Sequence, residues 1–576
     1  MKTSLKRLLP GIILSLAGAC AAAAGPASVR PLTTDAEAPA RYLNGEEEQV
    51  IRTRFVHLDL SGIVPVEERS TLTIPLNLFD DVHFDAVFTR SEPGPTGQGT
   101  VWSGHLAGLE ETSWVIMSKI DDYLYMDVWA LDAGTYQLRA TGERGVHAIM
   151  QVDPAKLLPC GVTQDHVIRD GLHADEGEGT PRDTGDLIDV LVMYTVAARN
   201  TAGGTTGITN AMNGWIVYTN NAYNNSQMTQ RVRLVHLVET TYVEASAGAG
   251  GMDTDLSRFR GTSDGNMDNV HTLRNTFGAD ICELVSLSVN ACGLAYVMSP
   301  PSSGFQSNAF GVTRYPCGAS TFAHEMGHNM GCAHDHDNGG ASSYCYSFGY
   351  RTLPNGGNRT IMAYAPGNEI PYFSNPNILF AGVPIGISEA AGCGNNTAAD
   401  NARSMNNTRF TVANFRQQQV GNPPPSAFSL NSPADGATGV DLTPALQWQA
   451  AEFANTYTVQ LSTEADMTPV LWQQENLTTT AVIVPGGTLD NCTQYFWSVT
   501  AFGFGGQTTA ASAPADFTTA LVGDINNDGE VDFSDLNQLI FQYGAMGPNN
   551  PADINGDGVV DFGDLNQLLS NYNQTC

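Results

Sequence analysis

The stretch HEMGHNMGCAHD, from His324 to Asp335, limits what this chain can be more than any other part of it. On a helix the first two histidines lie one turn apart on the same face, so both imidazoles can reach a single tetrahedral Zn2+ ion. Glu325, offset from His328 by roughly 60° at about 100° per residue, stands beside that ion and not on it. From there it can take a proton from an attacking water. After His328 the helix must stop and turn, and Gly331 can adopt a left-handed conformation without steric cost. That turn returns His334 to the third ligand position. Three neutral imidazoles leave the ion its full charge and one open position, a catalytic and not a closed structural arrangement. A structural zinc site or a set of core histidines would give Glu325 no reason to stand there.

The rest of the chain reads as several domains, as its 576 residues require. Residues 1–24 place Lys2, Lys6 and Arg7 before an apolar run ending in small residues, which predicts a secretory signal cleaved after Ala24. Cys20 offers a lipoprotein alternative. No later segment is apolar enough to span a membrane. Residues 25–185 carry short alternating strands and end in the polar, cleavable linker HADEGEGTPRDTGD. Residues 186–416 alternate strands and helices, including LIDVLVMYT, a helix over Ile208–Tyr223, RVRLVHLVET and a helix around Thr321–Met330. QQQVGNPPP links them, over 417–425, to a strand-rich segment over 426–519, and residues 521–576 contain an acidic duplication. A net charge of -32, from 27 basic and 59 acidic side chains, argues against nucleic acid or an anionic membrane as partner.

With Met362 in RTIMAYAPG downstream, the zinc motif resembles that of metzincin metallopeptidases, whose signature ends in a methionine-containing turn beneath the metal ligands. Asp335 directly after the third histidine is similar to the adamalysin or reprolysin branch. IPYFSNP, GVPIG and ADNARSMNNTRFTVANFR resemble bacterial peptidyl-Asp metalloendopeptidases. The resemblance implies one catalytic zinc, Glu325 as general base, protein or peptide substrates, and cleavage on the amino side of Asp. A substrate strand would add to an exposed sheet edge, for which Gly293–Tyr296 is the candidate, an internal strand being the alternative. An acidic side chain calls for a cation, yet there is no Lys or Arg between Met362 and Arg403, leaving Arg351 and Arg359.

Cys160, in LPCGVTQD, is similar to the cysteine-switch segments of latent metzincins, where a propeptide thiolate takes the fourth zinc position. No Arg precedes it, and a disulfide or a plain buried thiol remains open. In an exported chain the 10 cysteines should mostly pair. Cys282, Cys292, Cys317, Cys332, Cys345 and Cys393 could form three disulfides of undetermined pairing, and Cys492 could bond Cys576.

Trp448, Tyr457 and a tyrosine-corner candidate, Tyr495, make residues 426–519 resemble a fibronectin type III sandwich. In the tail, Asp524, Asn526, Asp528, Asp532 and Asp535, with the Glu530 carbonyl, match an EF-hand-type loop, and Asp553, Asn555, Asp557, Asp561 and Asp564, with the Val559 carbonyl, repeat it. Apolar helical residues follow each loop. The duplication resembles a type I dockerin, which implies two structural Ca2+ ions and a cohesin-like or cell-surface partner.

The expected protein is therefore multidomain: a β-rich prodomain, an α/β metzincin catalytic domain, an all-β fibronectin-like sandwich and a small α dockerin-like domain. It would be a secreted zinc endopeptidase made as a latent proenzyme. A non-catalytic, calcium-dependent adhesion or scaffold protein on a protease-like fold is the alternative.

Overall fold

The computed structural model describes residues 32–39, 47–66, 71–169, 183, 185–352, 357–390, 397–418, 424–451, 454, 456–477, 479–503, 506–547 and 550–576. The signal segment, Cys20, Cys393 and most of both linkers lie outside the described residues.

Nine antiparallel strands between Thr33 and Val152 form the N-terminal sheet. Successive side chains on a strand point to opposite faces. Thus Val115 and Met117 enter the sheet's own core with Leu124 and Met126, while Ile116 and Tyr125 point the other way, into the core of the next domain. Burial on both faces explains why SWVIMSKI and YLYMDVWA read as nearly continuous apolar runs.

The next domain is a five-stranded sheet in the order Arg231–Thr240, Leu187–Thr195, Ile281–Ser286, Phe310–Arg314, Gly293–Ala295. All neighbours are parallel except the last, an antiparallel edge strand. The helix Thr205–Asn225 is caught between this sheet and the N-terminal one, so every residue from Gly207 to Thr219 is buried. Two asparagines in that run would be costly without partners. Asn210 donates to the Tyr123 carbonyl at 3.0 Å, and Asn213 donates to Gln98 O and accepts from Thr96 N, each at 2.9 Å. Nearby, Trp215 donates to the Tyr125 hydroxyl at 2.9 Å, which itself donates to the buried Asp127. Burial pushes the Asp127 carboxyl up to about 7.

The C-terminal sandwich pairs a three-stranded with a six-stranded sheet. Tyr495 is buried there, and its hydroxyl accepts the Asp490 N–H at 2.8 Å, the corner contact expected of it. Two short helices, Phe533–Gln542 and Phe562–Ser570, close the chain around Val531, Leu539, Val560 and Leu568. A Cys492–Cys576 disulfide ties this tail to the sandwich.

The expectation of three disulfides among the six middle cysteines needs correction. Cys292 bonds Cys317 and Cys345 is disulfide-bonded, but Cys282 and Cys332 are free, buried thiols. Cys282 lies in a strand with no exposed residue, and Cys332 follows the turn at Gly331; both act as small apolar core residues.

Candidate metal centre

The helix Gly318–Asn329 packs on the edge of the five-stranded sheet and carries His324, Glu325 and His328 on its buried length. It ends because Gly331 turns left-handed at φ 88°, where a side chain would also strike Ser343. The chain then enters the short strand Ala333–Asp335 and delivers His334. The His328 and His334 Nε2 atoms lie 3.1 Å apart, and those of His334 and His324 3.2 Å apart.

Each ring is oriented through its other nitrogen. His324 Nδ1 meets the Ile361 carbonyl and His328 Nδ1 the Cys332 carbonyl, both at 2.8 Å, and His334 bonds the Asn338 backbone. With Nδ1 as donor, Nε2 keeps its lone pair. Burial lowers all three pKa values, that of His324 to about 4, so the rings are neutral. Three lone pairs aimed at one point repel each other unless a cation sits between them. The donor set and its spacing therefore fit zinc. Met362 is fully buried directly beneath the helix at Gly327, the position expected of the apolar floor.

Glu325 is fully buried against the edge strand: a Cβ on Gly293 would come within 2.1 Å of its carboxylate and would have to displace it. Burial raises the Glu325 pKa well above the carboxylate range, and its Oε1 has no hydrogen-bond partner. Its other oxygen, Oε2, lies 3.6 Å from the Cys160 sulfur, which is also 3.6 Å from His328 Nε2. Cys160 joins the three histidines in a cluster whose ligand atoms lie within 4.8 Å of one another. It is a free thiol beside the three histidines and not a disulfide partner.

The segment around Cys160 lies along the edge strand. Cys292 N donates to Pro159 O at 3.1 Å and Gly161 N to Gly293 O at 2.8 Å, and further on Val167–Ile168 pairs in parallel with Val297–Met298. Gly293–Ala295 is thus an edge strand already covered by the chain's own N-terminal part.

Residues 185–374 match the model of metallo-peptidase family M12, of reprolysin type. The chain is 36% identical over 302 residues to a peptidyl-Asp metalloendopeptidase of Stenotrophomonas maltophilia, covering 50% of this chain and 66% of that protein. To the peptidyl-Asp metalloendopeptidase of Xanthomonas campestris pv. campestris it is 30% identical over 443 residues, 70% of this chain and 97% of the relative. The chain belongs to the peptidyl-Asp metalloendopeptidase family. A relative in Pseudomonas fragi, 32% identical, aligns over 34% of this chain and 99% of its own length.

This family member carries a C-terminal sandwich that matches, over 434–523, a Rha78A-like N-terminal immunoglobulin domain. The sandwich is therefore immunoglobulin-like in the broad sense.

In the tail, the structure brings Asp524, Asp528 and Asp535 together within 4.8 Å. The second loop repeats the arrangement: Asp557 N bonds Asp553 as Asp528 N bonds Asp524, each at 3.1 Å. Asn526 and Asn555 donate to Asp528 and Asp557 respectively. Asp532 and Asp561 also cap the two helices, and Asp535 and Asp564 close both capping boxes. Glu530 and Val559 sit in bridges to Thr575 and Met546 whose backbone bonds are made by flanking residues, leaving their own carbonyls out of the pairing.

Two residues near the zinc site carried no functional expectation or only a weak one. Tyr364 donates to the Cys160 carbonyl at 2.7 Å and its ring lies 4.1 Å from that of His334. Its backbone N–H donates to Asp335 at 3.0 Å, so the residue after the third histidine also holds the methionine turn in place. Of the two arginines, Arg351 is held by Asp335 and Asp337 and does not line the cleft. Arg359 does.

Proposed function

We propose that this protein is an exported zinc endopeptidase, made latent, that cuts peptide bonds on the amino side of aspartate. The convergence of three neutral Nε2 atoms beside a buried, uncapped carboxylate carries the reading. His324, His328 and His334 would hold one zinc ion, which when bound would supply Lewis-acid polarisation of water and of the scissile carbonyl. Glu325 takes the proton of the attacking water and returns it to the leaving amine nitrogen. The Cys292 N–H and Gly293 carbonyl, which now hold Pro159 and Gly161, are free to hold a substrate backbone once that segment leaves. Tyr364, which now donates to the Cys160 carbonyl, can then donate to a substrate carbonyl.

Latency rests on the Cys160 thiolate taking the position that water needs, with the N-terminal sheet as prodomain. The basic, then apolar, then small-residue pattern of residues 1–24 supports export, and no helix among the described residues is long and apolar enough to cross a membrane. The Asp preference is supported by what the relatives are called. Mass spectrometry of products from a peptide library should show Asp directly after the cut, with activity lost on chelation. Bulky apolar residues at that position would reject the specificity, and chelator-resistant cleavage would reject the zinc chemistry. Glu325 beside the converging histidines counts against the scaffold reading.

For the tail we propose two structural calcium sites of dockerin type beyond a fibronectin-like spacer. Clustered carboxylates repel one another without a cation. Phe533 and Phe562, each 69% exposed, and Phe541, 92% exposed, support a protein partner such as a cohesin or a cell-surface receptor. Calorimetric titration of the full chain with Ca2+ should show two sites, both lost in the Asp524→Ala, Asp553→Ala double variant. Absence of uptake would end the EF-hand reading.

A further inference from the structure

His324 opens into a cleft of about 1030 Å³ whose walls also include Cys160, Glu325, Tyr364, Ser320 and Arg359. Arg359 is the single cationic residue among those walls. Its side chain is 13% exposed and held at three points. Nη1 meets Glu369 at 2.5 Å and the Ala363 carbonyl at 2.8 Å, and Nε meets the Gly367 carbonyl at 3.2 Å. Glu369 is held in turn by the Ser320 hydroxyl, on the first turn of the helix that carries His324.

These contacts leave Nη2 without a partner among the described residues. A guanidinium offers five N–H donors in a fixed fork. Here Nε and both Nη1 hydrogens are spent on holding the group still, and the two Nη2 hydrogens are left for a ligand in the cleft that Arg359 lines. The neighbouring Glu369 compensates the charge while the cleft is empty, so a nearly buried Arg is tolerated there.

We infer that Arg359 is the specificity-determining residue of this site, its Nη2 donating to the side-chain carboxylate of the substrate residue that follows the cut. This rests on the Asp-directed reading above. The turn around Met362, which floors the zinc site, also carries Arg359 and Glu369 on paired strands, Arg359 opposite Glu369. The recognition group and the metal ligands are thereby held in one rigid frame. Glu369 acts as a positioning residue and also weakens anion binding, because two carboxylates would share one guanidinium.

The test uses the processed, zinc-loaded enzyme and two peptides differing only in Asp or Asn after the scissile bond, read as the ratio of their kcat/KM values. Arg359→Gln should lower the Asp/Asn ratio at least about tenfold, the scale of one charge-assisted hydrogen bond, and Arg359→Lys should restore part of it. Glu369→Gln, which keeps the arginine, should raise the ratio and so decides the matter if the Arg359 variant does not fold. A ratio near one in the unmodified enzyme would sink the Asp-directed reading and this inference with it. A high ratio that survives in Arg359→Gln, or does not rise in Glu369→Gln, would overturn the assignment of Arg359 alone.

Discussion

Glu325→Ala should keep its zinc and lose peptide turnover by roughly 10³-fold, the middle of the range for a general base. Glu325 Oε1 has no hydrogen-bond partner and Oε2 has only the Cys160 thiol at 3.6 Å, so its removal breaks no other side-chain hydrogen bond of the fold. Metal analysis separates the roles of neighbouring residues. His324→Ala, His328→Ala or His334→Ala should lower zinc content, since each removes one of three converging Nε2 atoms. A Glu325→Ala enzyme with near-normal turnover would sink the proposed chemistry.

Cys160→Ala, made in the uncut chain, should raise small-peptide turnover by about tenfold or more, because thiolate and water compete for one position. The release should be partial. Four contacts of the covering segment do not involve the Cys160 side chain: Cys292 N to Pro159 O, Gly161 N to Gly293 O, the pairing of Val167–Ile168 with Val297–Met298, and Tyr364 to the Cys160 carbonyl. Protein substrates should therefore stay excluded until the connecting segment before Gly185 is cut. Equal latency of the Cys160→Ala and unmodified chains toward small peptides would mean that this segment and the sheet behind it block the cleft by bulk alone.

The alternation of residues 205–225 illustrates what sequence patterning hides. Ile208–Tyr223 reads as a helix, but its sequence does not say where the polar positions Asn210 and Asn213 face. Both are buried against the N-terminal sheet, each satisfied by backbone groups at Gln98, Thr96 or Tyr123. Nothing local distinguishes a buried, satisfied asparagine from an exposed one. Cys282 and Cys332 misled for a related reason: an even number of cysteines suggests pairing, but pairing needs Cα atoms within about 7 Å, and that is a property of the packed chain.

What the sequence determined by itself is whatever a few consecutive residues decide through helix and turn geometry. His324, Glu325 and His328 share a helix, Gly331 turns the chain, and His334 follows at a fixed reach, so the zinc site was legible before any fold was known. The same holds for the two acidic loops, each contained within a dozen residues. Tertiary structure alone decided which distant groups meet that site. Cys160 faces the histidines because the N-terminal segment lies along the Gly293–Ala295 edge, Tyr364 reaches the cleft because Asp335 holds its backbone, and Arg359 lines it while Arg351 is held outside by Asp335 and Asp337. Helix geometry is repeated every few residues and survives in sequence spacing, whereas the meeting of segments far apart depends on the packing of whole sheets and leaves no local trace.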